Sequence, residues 1–323
     1  MILSGLCSLA TTVVLGLISI PLLRKLKAGQ TVLKYVQEHK DKNGTPTMGG
    51  LFFIIPSVII ALLFGCASRI ATVSITIGIA FMCVGFIDDF IKIHFKRNEG
   101  LKAYQKIVFQ LSIAVFAGIF AFANGITVFH IPFFNVSVDL GLWTVPLIVF
   151  VFVAITNSVN LTDGLDGLAG SVSATYLLCT ILLISVQTYA LSHLYLKPQE
   201  YVKLNVLSSA LIGGILGFLI FNVSKARVFM GDTGSLSLGG FIGVISIFSS
   251  NSFFIPVIGI MFVLSGISVI IQVLYFKKYK KRVFLMSPLH HHFQLKGYTE
   301  TQISFAYTII TLVCGLLSVL AYT

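Results

Sequence analysis

Only eleven of the 323 residues are Asp or Glu, so where they stand is informative. Asp88 and Asp89 close an apolar run in GFIDDFIK. Successive side chains on a helix diverge by about 100°, so this pair does not easily clamp one ion together. Two separate jobs suit it better. One carboxylate faces a metal or a reacting phosphate and acts as a base, while the other pairs with Lys92 or Lys106 or orients a ligand. The plainer alternative is an acidic helix end neutralised by nearby lysines.

A second polar stretch, NSVNLTDGLDGLAG at 157–170, interrupts two apolar runs. Asn157, Asn160, Asp163 and Asp166 recur every third residue, so a helical turn places them on one face that can bind hydroxyls, amides or a hydrated cation. Gly164, Gly167 and Gly170 permit close backbone approach. Asn, Asp and Gly are also ordinary turn residues. In the third stretch, 221–240, Asp232 and Thr233 are placed to cap the helix that follows, whose free amides also favour a phosphate. Phe229 can stack on a base or simply pack. The fourth stretch is SPLHHHF at 287–293. Adjacent histidines diverge, so His290, His291 and His292 make a poor chelate and suit hydrogen bonding to phosphates equally well.

These groups need a scaffold, and the composition dictates its kind. With 56% hydrophobic residues, 10% charged residues and a mean hydropathy of +0.97, the chain lies far from the roughly 25% charge of soluble domains. About 20 apolar residues cross a bilayer as a helix. Runs of that kind lie at about 2–23, 49–66, 70–90, 105–123, 143–160, 168–190, 205–222, 235–250, 253–276 and 301–322. The expected fold is an all-α integral membrane bundle of about ten helices, a single domain over 1–323. The first run has its basic residues after it rather than before it, which reads as a retained span instead of a cleaved signal. Between the fourth and fifth runs, alternation around Pro132 predicts a short hairpin over Ile126–Val138.

Sidedness follows from Lys and Arg. With the N-terminus outside, every one of the 22 basic residues except Arg69, Lys197 and Lys203 falls in an inside loop. Both termini are then extracellular, and the net charge of +11 is accounted for by topology without nucleic acid as a partner. All five singled-out aspartates fall on the cytoplasmic edge, where carboxylates are costly unless paired or bound to a cation. The five cysteines stand singly in apolar runs and are expected in the core. No internal repeat of the transporter kind is visible. Hard oxygen donors beside cations suit Mg²⁺ or Mn²⁺, and phosphoryl transfer needs little more than those and a positioned carboxylate.

GTPTMGG at 44–50, DDF at 88–90, NLTDGLDGLAG at 160–170, GDTGSL at 231–236 and PLHHHF at 288–293 together resemble the polyprenyl-phosphate N-acetylhexosamine-1-phosphate transferases along nearly the whole chain. GTPTMGG and the triple histidine favour the muramoyl-peptide branch of that family. The resemblance implies a membrane enzyme that moves phospho-N-acetylmuramoyl-pentapeptide from UDP-MurNAc-pentapeptide to undecaprenyl phosphate, with Mg²⁺ as cofactor, release of UMP and a homodimeric state. A GlcNAc-1-phosphate donor is the alternative. By the same match Asp232, with Asp163, holds the metal, and Asp88 and Asp89 handle the lipid phosphate, one as its base. Asn157, Asn160, Asp163 and Asp166 line the nucleotide and diphosphate site beside Lys106. Lys40, Asp166, Asn222 and Phe229 form the uridine pocket. His290, His291 and His292 lie near phosphates or sugar, while Gln272 and Ser287 contact nucleotide-like ligands. Gln294 replaces an acid that the family often carries after HHHF. Direct attack and a phospho-aspartyl route both remain open, with direct attack the simpler.

Overall fold

The computed structural model describes residues 1–25, 44–95, 99–134, 136–190, 196–223 and 225–321. Lys40 lies outside the described residues. In chain order the helices are α1 (Ile2–Lys25), α2 (Gly50–Leu63), α3 (Arg69–His94), α4 (Ala103–Ala123), α5 (Thr144–Thr162), α6 (Leu168–Ala190), α7 (Pro198–Asn222), α8 (Gly231–Phe248), α9 (Ile255–Ile258), α10 (Ile260–Tyr279), α11 (Leu289–Gln294) and α12 (Glu300–Leu320). Among the described residues nine helical segments are long and apolar enough to cross a membrane. The protein is an all-α integral membrane protein, and its sheet content among the described residues is a single hairpin. In that hairpin β1 (Val128–Ile131) pairs antiparallel with β2 (Val136–Asp139), with Phe129 opposite Val138.

Two expected spans differ from the apolar runs that suggested them. The run at 49–66 gives a helix of only 14 residues, about 21 Å long, because Met48 stands in the left-handed region at φ +67° just ahead of it and Gly65 turns the other end at φ +81°. The run at 253–276 is broken at Gly259. A 3-10 turn over Ser252–Phe254 and the four-residue α9 precede α10, and α10 continues to Tyr279, where Lys280 ends it in the left-handed region. The cysteines are only partly core. Cys66 and Cys179 are buried, Cys7 and Cys314 half-buried, and Cys83 exposed, as a small side chain on a lipid-facing stripe tolerates.

At the centre stands α8, with nearly every residue buried. Its sequence GSLSLGGFIG explains this, because without a hydrophobic drive between helices in lipid, small residues bring backbones close enough to pack. Gly78 of α3 takes the Phe241 ring against its backbone, Gly239 of α8 lies on Thr156 of α5, and Gly240 lies on Phe81. The most extensive contacts are α3 with α8 and α1 with α7, followed by α5 with α8. At the far end from the aspartates, the hairpin is tied to the turn after α8 by the His130 N–H bonding to the Ser250 carbonyl at 3.0 Å.

The near end of α8 is recessed. Gly50, the first residue of α2, packs against the backbone of Gly234, and Gly85 of α3 packs against that of Asp232. Meanwhile α3 runs five residues past Asp89 to His94. The acids therefore sit below the rim of the longer helices, in contrast to the expectation that Asp88 and Asp89 end the third span.

Candidate active site

Asp232 is the second residue of α8 and the hub of the site. Its Oδ2 accepts from Lys92 Nζ at 3.1 Å and Lys106 Nζ at 2.8 Å, and its Oδ1 accepts from the Asn160 amide at 2.7 Å. Asn160 also donates to Ser235 Oγ at 2.9 Å. Thus α3, α4 and α5 each reach the first turn of α8 with at least one polar side chain. Lys92 bridges further, to Asp88 Oδ2 at 2.6 Å.

Asp88 and Asp89 do different work, yet they also converge. Asp89 accepts the Asp232 and Thr233 N–H groups at 3.2 and 2.9 Å and the Thr233 hydroxyl at 2.7 Å. It is the cap of α8, supplied by a neighbouring helix. The expected self-cap by Asp232 and Thr233 does not form, since the residue before the helix, Met230, has helical dihedrals and makes no side-chain cap bond. Asp88 turns the other way and accepts from Leu101 N at 2.9 Å. Even so, one oxygen each of Asp88, Asp89 and Asp232 lies within 4.8 Å of the others. The divergence expected of Asp88 and Asp89 holds for their hydrogen bonds, but it does not foresee that one oxygen of each comes close to a third carboxylate, supplied by α8. This set of buried hard oxygen donors fits a small divalent cation. Asp163 is not among the three.

The four-residue face over 157–166 splits, because α5 stops at Thr162. Asp163 is its C-cap at φ −78°, ψ 47°, and the chain turns through Gly167 at φ +74°. Asn157 is occupied by Gln110 and the Val153 carbonyl. Asn160 and Asp163 face the hub. Burial first, then the charges of Asp232, Asp89 and Asp166, push the Asp163 carboxyl well above the usual carboxylate range. Asp166 faces the opposite way and accepts from Ala226 N at 2.9 Å, while Glu300 Oε2 accepts from the Asp166 N–H.

Asp166, Asn222 and Phe229 do come into one region, since residues 225–230 fold over the 163–167 turn. There Asn222, 4% exposed, accepts from Gly167 N and donates to the Val228 carbonyl, both at 2.9 Å. Phe229 is half-buried and bonds through its backbone to Pro46 and Gly49, which docks the GTPTMGG segment beside the start of α8. In place of an array of free side chains, these residues form a tightly hydrogen-bonded wall.

The three histidines diverge, as adjacent positions require. His290 is fully buried against Gly164 with no hydrogen-bond partner at either ring nitrogen among the described residues. Burial, then neighbouring His291, hold it well below the ordinary histidine value. His291 Nδ1 lies 3.0 Å from Gln294 Oε1, and His292 Nδ1 accepts from Leu285 N at 3.1 Å. Gln272 accepts from Val283 N and Phe284 N and so shapes the loop after α10. Ser287 is half-buried, just ahead of α11. Sequence reading missed the Gln110 partner of Asn157 and the Glu300 anchor. Both had a signal: Gln110 is a lone amide in an apolar run four residues from Lys106, and Glu300 is one of eleven acids.

Five sequence stretches thus meet at one recess, and comparison with known proteins puts them in a family. The model of glycosyl transferase family 4 matches residues 71–250, and the phospho-N-acetylmuramoyl-pentapeptide-transferase signature 1 matches 42–54. The phospho-N-acetylmuramoyl-pentapeptide-transferase of Caldanaerobacter subterraneus subsp. tengcongensis is 40% identical over 97% of this chain and 95% of its own. That of Thermoanaerobacter sp. strain X514 is 43% identical over 94% and 92%, and that of Clostridioides difficile 40% over 98% and 96%. With matches this even along the chain, the protein belongs to glycosyl transferase family 4 and, within it, to the phospho-N-acetylmuramoyl-pentapeptide-transferases.

Proposed function

We propose that the protein transfers phospho-N-acetylmuramoyl-pentapeptide from UDP-MurNAc-pentapeptide to undecaprenyl phosphate, making lipid I for peptidoglycan and releasing UMP. The observation that carries the reading is the recess in which Asp88, Asp89 and Asp232 each offer an oxygen within 4.8 Å while Lys92 and Lys106 stand on Asp232. The site faces the cytoplasm in this reading, where the nucleotide substrate is, in agreement with the Lys and Arg distribution.

Asp232, with Asp88 and Asp89, would hold Mg²⁺, which usually takes one or two carboxylates and completes its shell with water and substrate phosphates. When bound, it spreads the charge of the transferring phosphoryl group. Lys92 and Lys106 offer the same phosphates positive charge at close range. The lipid phosphate oxygen attacks the sugar-bearing phosphorus, the bond from that phosphorus to the bridging oxygen breaks, and the electron pair leaves with UMP. Asp88 is the better placed of the adjacent pair to orient or deprotonate the attacking phosphate, because Asp89 is engaged by three donors of α8. A homodimer rests on the family resemblance alone and is read from the particle mass in detergent.

UMP release is the test. Purified protein with both substrates and Mg²⁺ should release UMP, and Asp232→Asn should cut turnover roughly a thousandfold while the protein stays folded. Product formed only from UDP-GlcNAc, or near-parental turnover by Asp232→Asn at saturating Mg²⁺, contradicts the reading.

A further inference from the structure

One helical turn deeper in the bundle than Lys106 and Asn160 lies a second polar pair. Gln110 follows Lys106 by four residues on α4, and Asn157 precedes Asn160 by three on α5, so each couple shares a helix face. The Asn157 amide donates to Gln110 Oε1 at 2.7 Å, and Gln110 Nε2 returns toward Asn157 Oδ1 at 3.4 Å. The other N–H of Asn157 donates to the Val153 carbonyl at 2.8 Å, which leaves that side chain no donor for a ligand. Gln110 is 0% exposed, in a span where an apolar residue fills space without needing a partner.

The rest of α4 explains what such a pair accomplishes. Its buried residues are Gln110, Ala114, Ala117, Gly118 and Ala121. Apart from Gln110 these residues are small, with Val145 of α5 seated on Gly118, and the amide pair adds a directional contact that such packing lacks. One residue of slip is about 1.5 Å along the axis and about 100° around it, enough to carry Lys106 off its 2.8 Å contact with Asp232. The two helices hold opposite oxygens of that carboxylate, Lys106 on Oδ2 and Asn160 on Oδ1.

We infer that Gln110 is a positioning residue for the transfer reaction: paired with Asn157, it fixes the register of α4 against α5 and so keeps Lys106 and Asn160 on Asp232. This rests on the proposed function only in placing Asp232 at the reacting site.

The test uses the full chain in nanodiscs with Gln110→Met, Asn157→Gln and the exchanged pair Gln110→Asn with Asn157→Gln. In folded Gln110→Met, kcat should fall about tenfold to a hundredfold with KM for the UDP substrate within about twofold of parental. Without any substrate, amine acylation of Lys106 relative to Lys102, read by mass spectrometry, should rise severalfold. The exchanged pair should recover most of both losses, and Asn157→Gln alone should not. A folded Gln110→Met with parental kcat or parental Lys106 labelling overturns the inference, as does an exchanged pair no better than Asn157→Gln. Should Gln110→Met fail to fold, that last comparison decides. If the unsubstituted protein releases no UMP, the functional reading fails on its own, and Lys106 labelling still reports on the pair.

Discussion

Two neighbouring carboxylates divide their labour here according to which helix each one faces. Asp89 accepts three hydrogen bonds from the first turn of α8, whereas Asp88 meets Leu101 N and Lys92. An asparagine at 89 keeps one acceptor and turns an NH₂ group toward N–H donors, a loss of about 2–3 kcal/mol for charge-assisted bonds. Asp89→Asn should therefore lower the melting temperature by a few degrees along with turnover. Asp88→Asn should leave melting close to parental and cut kcat roughly a hundredfold. Thermal unfolding in detergent beside UMP release distinguishes them, and equal thermal losses contradict the division. The acids themselves were legible as rare charges in an apolar chain. That Asp89 caps a helix 143 residues away was not, because a cap borrowed from another helix leaves no local spacing to read.

Helices and turns show the same split between what local pattern encodes and what packing decides. Apolar runs marked the spans, and alternation around Pro132 marked the hairpin, whose second strand runs one residue past the expected stretch, to Asp139. The face expected over 157–166 was half right, since an every-third-residue pattern assumes a helix that in fact ends at Thr162. What sets the depth of the site is a contact no pattern reveals, that of Gly85 with the backbone of Asp232. A β-carbon there meets a main chain that cannot rotate aside, so Gly85→Ala should destabilise by about 1–3 kcal/mol and reduce turnover more than Gly44→Ala, where the added carbon meets open space but φ is +86°. Melting curves and UMP assays on both check this. At the other end, Phe133, Phe134, Leu142 and Trp143 are exposed around the hairpin, the arrangement by which aromatic rings sit at headgroup level. Trp143 is the only tryptophan in the chain, so its fluorescence should be quenched more by bromine placed near the headgroup than by bromine at the chain end of the lipid.

Across the whole molecule, α8 organises the packing and its first turn organises the chemistry, because one glycine-rich helix is both the centre of the bundle and the floor of the recess. Composition made the membrane class readable at once. The recess was hidden, since it comes from unequal helix lengths around α8, and length in sequence overstated α2. That short helix carries a further consequence. About 21 Å of α2 faces hydrocarbon about 30 Å thick with Ile55, Ile59, Leu62 and Leu63 on its exposed stripe. Acyl chains beside it must compress, and the polar boundary of one leaflet dips toward the aspartates at a cost that grows with lipid length. Turnover in vesicles should then be higher with 14-carbon than with 22-carbon monounsaturated chains, by about threefold or more; a flat profile would mean that the leaflet does not deform there. In the proposed reaction, a carrier phosphate riding in that dimple would meet Lys92 and Lys106 without leaving its own leaflet.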